Sequence, residues 1–333
     1  MPARIGLDAM GGDQAPHAIV SGAVQALSDA DDVEVVLVGD ESRVKAELDA
    51  IDGLTATDRV RIVHASQVVP MGQAPLDALR QNKDSSIVRV AELAADGQVD
   101  AVISAGNTGA FAAAAQLKMR PLRCISRPGI AVAIPSFHGP VVLCDCGANI
   151  QAKPHQLHEY AVMSTLYAER VLGVVSPRVG LLSVGGESQK GTELVKQTHA
   201  LLHGDANLEF VGNVEGQDLF SNVCQVAVCD GFVGNILLKL VEGLAESLFP
   251  TISREFEDED PQARERFDSA LKRVWSRHDF SEYGGAPLLG VNGVCIICHG
   301  RSGERAIRNA VRAAAKFLSH NFNEAIVERL GDK

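Results

Sequence analysis

RIGLDAMGGDQAPHAIVSGAVQALSDADDVEVVLVG, residues 4–39, decides the fold. An apolar run, 4–9, enters a turn in which Gly11 and Gly12 lie between Asp8 and Asp13. Pro16 then opens a helical pattern over 15–29, and a second apolar run follows at 33–39. Strand, helix and strand at this spacing form the repeating unit of a parallel sheet. Working outward, further strand candidates fall at 60–64, 99–104, 129–135, 140–145, 178–184, 208–212, 224–229 and 293–298. Helical patterns lie between many of them, at 85–96, 107–119, 154–171 and 189–203. The expected fold class is α/β, a doubly wound, mostly parallel sheet with helices on both faces. Residues 1–333 read as one such unit. The alternation breaks only at 236–281, where two helical stretches follow one another and Pro250 should kink or divide the first.

Composition narrows the function. The chain has 333 residues, 46% apolar and only 5% aromatic, ample for a large core of small aliphatics. Its net charge of −11 argues against an extended nucleic-acid footprint. The chain opens with no charged-then-apolar signal, and no apolar run reaches the roughly 20 residues that span a bilayer. Seven cysteines, mostly in apolar stretches, do not read as a disulfide framework, and a cytoplasmic location is expected.

Ligands of such sheets bind at the carboxyl ends of strands. Those ends here carry Gly, Asp, Asn and Ser repeatedly: DAMGGD, SAGNTGA, DCGAN, VGGES, GNVEG, DGFVGN and CHGRS. Seven such turns point to a shared site. SAGNTGA, 104–110, suits either anion binding by a helix start with Ser104, Asn107 and Thr108, or plain helix capping. It is not a P-loop, because no lysine follows in the required place. RQNKDSS, 80–86, sets Lys83 before Ser85 and Ser86, which is a phosphate corner or a capped helix beside solvated cations. In DCGAN, Asp145 and Asn149 are expected to face the strand-end crevice. CIICH, 295–299, matches a haem-attachment pattern, but its cysteines lie in a strand and read as buried. His299, before Gly300, Arg301 and Ser302, is placed to donate to an anion or oxyanion. No G-x-S-x-G elbow and no G-x-G-x-x-G after the first strand is present.

Taken in order, DAMGGDQAP (8–16), RQNKDSS (80–86), SAGNTGA (104–110), DCGAN (145–149), KGTEL (190–194), GNVEGQD (212–218), CDGFVGNILLK (229–239), YGGAPLLGVNG (283–293) and ICHGRS (297–302) identify a resemblance. Over essentially its whole length the chain resembles the bacterial phosphate acyltransferases of phospholipid synthesis, the PlsX family. Two departures stand out: Asn82 occupies the first position of the family's usual lysine pair, and VGGES replaces the commoner IGEE. The resemblance implies a three-layer fold similar to phosphotransacetylases and isocitrate-type dehydrogenases. It implies transfer of a long-chain acyl group from acyl carrier protein to inorganic phosphate, with no cofactor and no metal. The acyl phosphate would pass to a membrane glycerol-3-phosphate acyltransferase. A homodimer with a projecting hairpin at 236–281 is implied, and peripheral attachment to the inner face of the cell membrane in some members.

Phosphate is already a dianionic nucleophile near neutrality, so the site must gather it with a thioester and stabilise the oxyanion. The catalytic candidates are Lys83, Asn149, His299 and Ser302. The substrate-binding candidates are Asp8, Gly11, Gly12, Asp13, Ser85, Ser86, Ser104, Asn107, Thr108, Asp145, Lys190, Asp230 and Asn235. Asp8 and Asp13 would repel bare phosphate; they either brace their turn or meet a cation or the pantetheine amides. Acyl carrier protein is acidic, and Lys118, Arg120, Arg123 and Arg127 in LKMRPLRCISRP form the expected docking stretch. In the hairpin, Leu240, Leu244, Leu248, Ile252 and Phe256 make an apolar stripe, with Phe267, Leu271, Val274 and Trp275 opposite and an acidic turn at Glu255–Pro261 between. The stripe packs internally or against a second subunit, or meets lipid beside Arg264, Arg266, Lys272, Arg273 and Arg277. Two rival functions share the expected fold: an NAD-dependent decarboxylating dehydrogenase, and a phosphotransacetylase acting on acyl-CoA.

Overall fold

A computed structural model describes residues 2–51, 57–256, 261–277 and 280–331. Its strands are β1 (Ala3–Asp8), β2 (Val33–Gly39), β3 (Val60–His64), β4 (Ala101–Ser104), β5 (Gly129–Ser136), β6 (Gly139–Cys144), β7 (Arg178–Leu182), β8 (Glu209–Val214), β9 (Val226–Val228), β10 (Ala286–Leu289) and β11 (Val294–Ile297). They join one sheet in the order β3-β2-β1-β4-β11-β10-β5-β6-β9-β7-β8. The apolar runs of the sequence supply these strands because residues buried on both faces read as continuous Val, Ile and Leu.

Helices cover both faces. On one lie α1 (His17–Asp29), α2 (Glu41–Asp49), α6 (Pro154–Leu166), α7 (Glu193–His203), α10 (Glu304–Ser319) and α11 (Phe322–Leu330). On the other lie α3 (Pro75–Gln81), α4 (Ser86–Ala95), α5 (Thr108–Lys118) and the inner side of α8 (Gly231–Glu255). The doubly wound α/β reading therefore holds. In α10, Ile307, Ala310, Val311, Ala314 and Phe317 are all buried, the three-to-four spacing that turns one helical face to a sheet.

Two local expectations are corrected. Ala286–Leu289 forms an extra strand that the sequence hides between Gly284, Gly285 and Gly290; four residues are too few to show a period. Pro250 does not divide its helix. α8 runs unbroken from Gly231 to Glu255, and Glu246, whose carbonyl the proline cannot satisfy, lies where water reaches it. α9 (Pro261–Arg277) follows, and the rings of Phe256 and Phe267 stack at 3.5 Å across the pair. The turn residues 257–260 and the side chains of Lys272, Trp275 and Arg277 lie outside the described residues.

One feature of the sheet governs the site. β10 pairs antiparallel with β11 and β5, and β5 pairs antiparallel with β6. The other pairings are parallel. The block β3-β2-β1-β4-β11 and the block β6-β9-β7-β8 consequently run in opposite directions. Their carboxyl ends emerge at opposite edges of the sheet.

Candidate active site

The seven glycine-bearing turns thus end strands of two opposite directions. At the edge where β1, β4 and β11 end, DAMGGD, SAGNTGA and CHGRS meet. The Asp13 amide donates to the Gly300 carbonyl at 2.7 Å. The Ser104 hydroxyl donates to Asp8 Oδ2 at 2.6 Å and accepts from the Gly106 amide at 3.0 Å. The Met10 amide donates to Asp8 Oδ1 at 3.2 Å. Ser86, the first residue of α4, also hydrogen-bonds the Asp8 carboxyl. Burial pushes this carboxyl above its ordinary range, against the opposing pull of the Ser104 and Ser86 hydroxyls and the Met10 and Gly11 amides.

Beside Asp8 lies a cavity of about 180 Å³. Gly11, Gly12, Ser86 and Gly106 line it on one side, and Val68, Val69, Pro70 and Met71 on another. Several expected phosphate ligands make structural hydrogen bonds. Ser85 caps α4, accepting from the Val88 amide. Asn107 caps α5 through Oδ1, and its single amide donates to the carbonyls of Pro70, Met71 and Gln73 at 3.2, 2.9 and 2.8 Å. The Gly106 amide is spent on Ser104 and the Gly11 amide on the Asp8 carbonyl. Asn82 donates to Gln73 Oε1 at 2.9 Å, so the residue in the lysine position ties down the same loop. Lys83, Thr108 and Asp13 are exposed.

His299 stands at the end of β11 on this edge. The Arg301 amide donates to its Nδ1 at 3.2 Å, which leaves the Nε2 proton on the neutral ring free to be offered outward. Partial burial, then Lys239 and Arg301, hold the imidazole below its usual 6.5, against Glu242 and Glu246. Ser302 donates its amide to the His299 carbonyl at 2.9 Å, closing the turn. α8 passes here: the Arg301 guanidinium pairs with Glu246, and Lys239 with Glu242 at 2.6 Å.

The remaining turns end the oppositely directed strands, at the other edge. Asp145 Oδ1 accepts from the Ile130 and Ala148 amides at 3.0 Å, and Oδ2 from the Asn149 amide at 2.6 Å. Burial raises this carboxyl too. The Asn149 side-chain amide donates to the Pro128 carbonyl at 2.7 Å and the Tyr160 hydroxyl at 2.8 Å. Asp230 caps α8 by accepting from the Phe232 and Val233 amides, and exposed Asn235 packs beside Gly147. Asp145 and Asn149 therefore brace their own turn. Lys190 is exposed in the turn after β7, near Gly185. The basic stretch also belongs to this edge, with the Arg120 carbonyl accepting from the Asn292 amide. Lys118 within it is already paired with Glu92 at 2.8 Å. Reading the sequence misses the loop 68–73, whose irregular composition carries no periodic signal, and Tyr160, which looks like one more core aromatic.

Burial pushes the thiols of Cys144, Cys146, Cys229, Cys295 and Cys298 upward, leaving them protonated packing groups. Among the described residues no cluster of three or more His, Cys, Asp or Glu side chains could hold a metal. Among them also no helix is long and apolar enough to cross a membrane.

Comparison with known proteins completes the picture. Residues 3–325 match the family model described as fatty acid synthesis protein. A phosphate acyltransferase of Desulforamulus reducens is 46% identical over 98% of this chain and 97% of its own. Another, of Halothermothrix orenii, is 44% identical over 96% of both. In fold, a phosphotransacetylase from Streptococcus pyogenes superposes with a TM-score of 0.65 over 96% of this chain and 94% of its own, at 15% identity. The EutD phosphotransacetylase of Staphylococcus aureus gives 0.63 over 95% and 94%, at 16% identity. The chain belongs to the phosphate acyltransferases of fatty acid and phospholipid synthesis, a family of acyltransferase enzymes.

Proposed function

We propose that this protein moves a long-chain acyl group from acyl carrier protein to inorganic phosphate, releasing the carrier thiol and acyl phosphate. The observation that carries the reading is the meeting, at one sheet edge, of the buried Asp8–Ser104–Ser86 corner with the His299 turn across Gly12 and Gly300. Phosphate binds at the start of α4, held by the Ser86 hydroxyl and the Lys83 ammonium. The Ser104 and Ser86 hydroxyls and the Met10 amide occupy the Asp8 carboxyl, turning its charge towards its own partners rather than the phosphate. A phosphate oxygen attacks the thioester carbon, and the His299 Nε2 proton stabilises the oxyanion. Collapse breaks the carbon–sulfur bond, and the sulfur leaves as thiolate and takes the proton that the attacking hydrogen phosphate gives up, becoming the thiol.

The same reading makes the protein a cytoplasmic homodimer with the 236–281 hairpin projecting from a single α/β unit. Its product passes to a membrane glycerol-3-phosphate acyltransferase, which favours contact with the inner membrane face. Phosphate-dependent thiol release from palmitoyl carrier protein is the direct test. Release from palmitoyl-CoA alone would transfer the reading to the phosphotransacetylase type. Nicotinamide reduction without thiol release would transfer it to a dehydrogenase. In Lys83→Ala the KM for phosphate should rise about tenfold, as expected on losing a charge-assisted contact; an unchanged value removes Lys83 from the site.

A further inference from the structure

We infer that the loop 68–71 carries the acyl chain out of the reaction cavity and that Met71 sets which chains are accepted, an inference that rests on the proposed acyl transfer. The cavity has two unlike walls, the polar corner of Asp8 and Ser86 and the apolar run Val68 to Met71. Its volume of about 180 Å³ is close to the ~150 Å³ that takes up a benzene-sized guest. That is room for the reacting groups and the first few carbons. A long chain has to leave.

The apolar wall shows where. Val68 is 45% exposed and Met71 51% exposed, although both line the cavity. Each therefore has one side on the cavity and one on solvent, which is what a chain passing outward requires. The Met71 methyl lies 2.9 Å from where a Cβ on Gly300 would stand, so a glycine beside His299 makes its seat. The route thus begins next to the residue assigned to the oxyanion.

The loop is held at both ends. The Gln67 amide donates to the Asp84 carbonyl, and the Gln67 carbonyl accepts from the Ser86 amide. At the far end the Asn107 amide holds three carbonyls, and Asn82 holds Gln73. With its backbone tied, the loop adapts through side chains. Methionine, unbranched and polarisable, suits a surface over which a chain slides.

The test compares kcat/KM for butyryl and palmitoyl carrier protein in the full-length enzyme. Met71→Trp narrows the mouth and should lower the palmitoyl value roughly tenfold more than the butyryl value, the scale on which apolar pockets discriminate. Met71→Ala removes apolar contact from an exposed position that tolerates truncation. It should lower the palmitoyl-to-butyryl ratio about threefold or more, with the KM for phosphate unmoved. Equal losses on both substrates in both variants overturn the inference. Absence of phosphate-dependent thiol release from the unaltered enzyme would instead sink the proposed function.

Discussion

At the scale of residues, the two edges of the sheet use a buried carboxylate in the same way. Asp8 and Asp145 lie at or just past a strand end, collect donors from their own turn and from neighbouring segments, and are pushed upward by burial. Ser104→Ala removes the 2.6 Å donor to Asp8 and should cost about 1–3 kcal/mol in urea unfolding, because a buried acceptor loses its partner. His299 gives a pH prediction. Its ring is neutral at pH 7, since its folded value lies below 6.5. Protonation of Nδ1 would set an N–H against the Arg301 N–H that it now accepts. Activity should therefore fall as pH drops through that lowered value. The ratio of unaltered enzyme to His299→Gln, which cancels the titration of phosphate itself, should fall on the acid side only. The sign for stability agrees: a base with a depressed folded value contributes fully above 6.5 and loses that contribution as pH falls towards the folded value. A flat ratio would take His299 out of the mechanism.

At the scale of elements, α8 connects the two edges. It starts on the Asp145 turn and flanks the His299 turn from Lys239 to Glu246. Its seat depends on Gly234, where an added Cβ would stand 1.9 Å from the Asp145 carbonyl oxygen. Gly243, further along the same helix, has nothing within 4 Å of that position. Gly234→Ala should lower the unfolding free energy by about 1–3 kcal/mol through overpacking, read as a fall in melting temperature. Gly243→Ala should raise stability by up to about 1 kcal/mol through helix propensity alone. Matching effects at both sites would show that α8 does not rest on the turn as described.

At the scale of the whole molecule, charge and exposure divide between the edges. The Arg120–Arg127 stretch lies on the edge away from the cavity. If it docks the acidic carrier, Arg120→Glu with Arg123→Glu should raise the KM for acyl carrier protein about tenfold and steepen its salt dependence; an unaltered KM places docking elsewhere. The outer side of α8 carries Ile236, Leu240, Leu244 and Leu248, all exposed and one turn apart. If a second subunit covers this stripe, Leu240→Glu with Leu244→Glu should shift sedimentation equilibrium from dimer to monomer. A variant that remains dimeric but no longer pellets with anionic vesicles would assign the stripe to lipid.

The sequence alone determined the α/β class, because strand and helix periods alternate within short windows, as in 4–39. It also marked the chemistry-bearing turns, since Gly, Asp and Asn at strand ends are local signals. It could not tell which turns meet. That depended on β10, four residues between glycines, whose antiparallel pairing with β11 and β5, with β5 against β6, reverses half the sheet. Nor could it show the partners of Asn107 and Asn149, whose amides donate to carbonyls 21 to 37 residues away in the chain. Strand direction and the fate of each polar group are long-range properties, settled only when distant segments pack together.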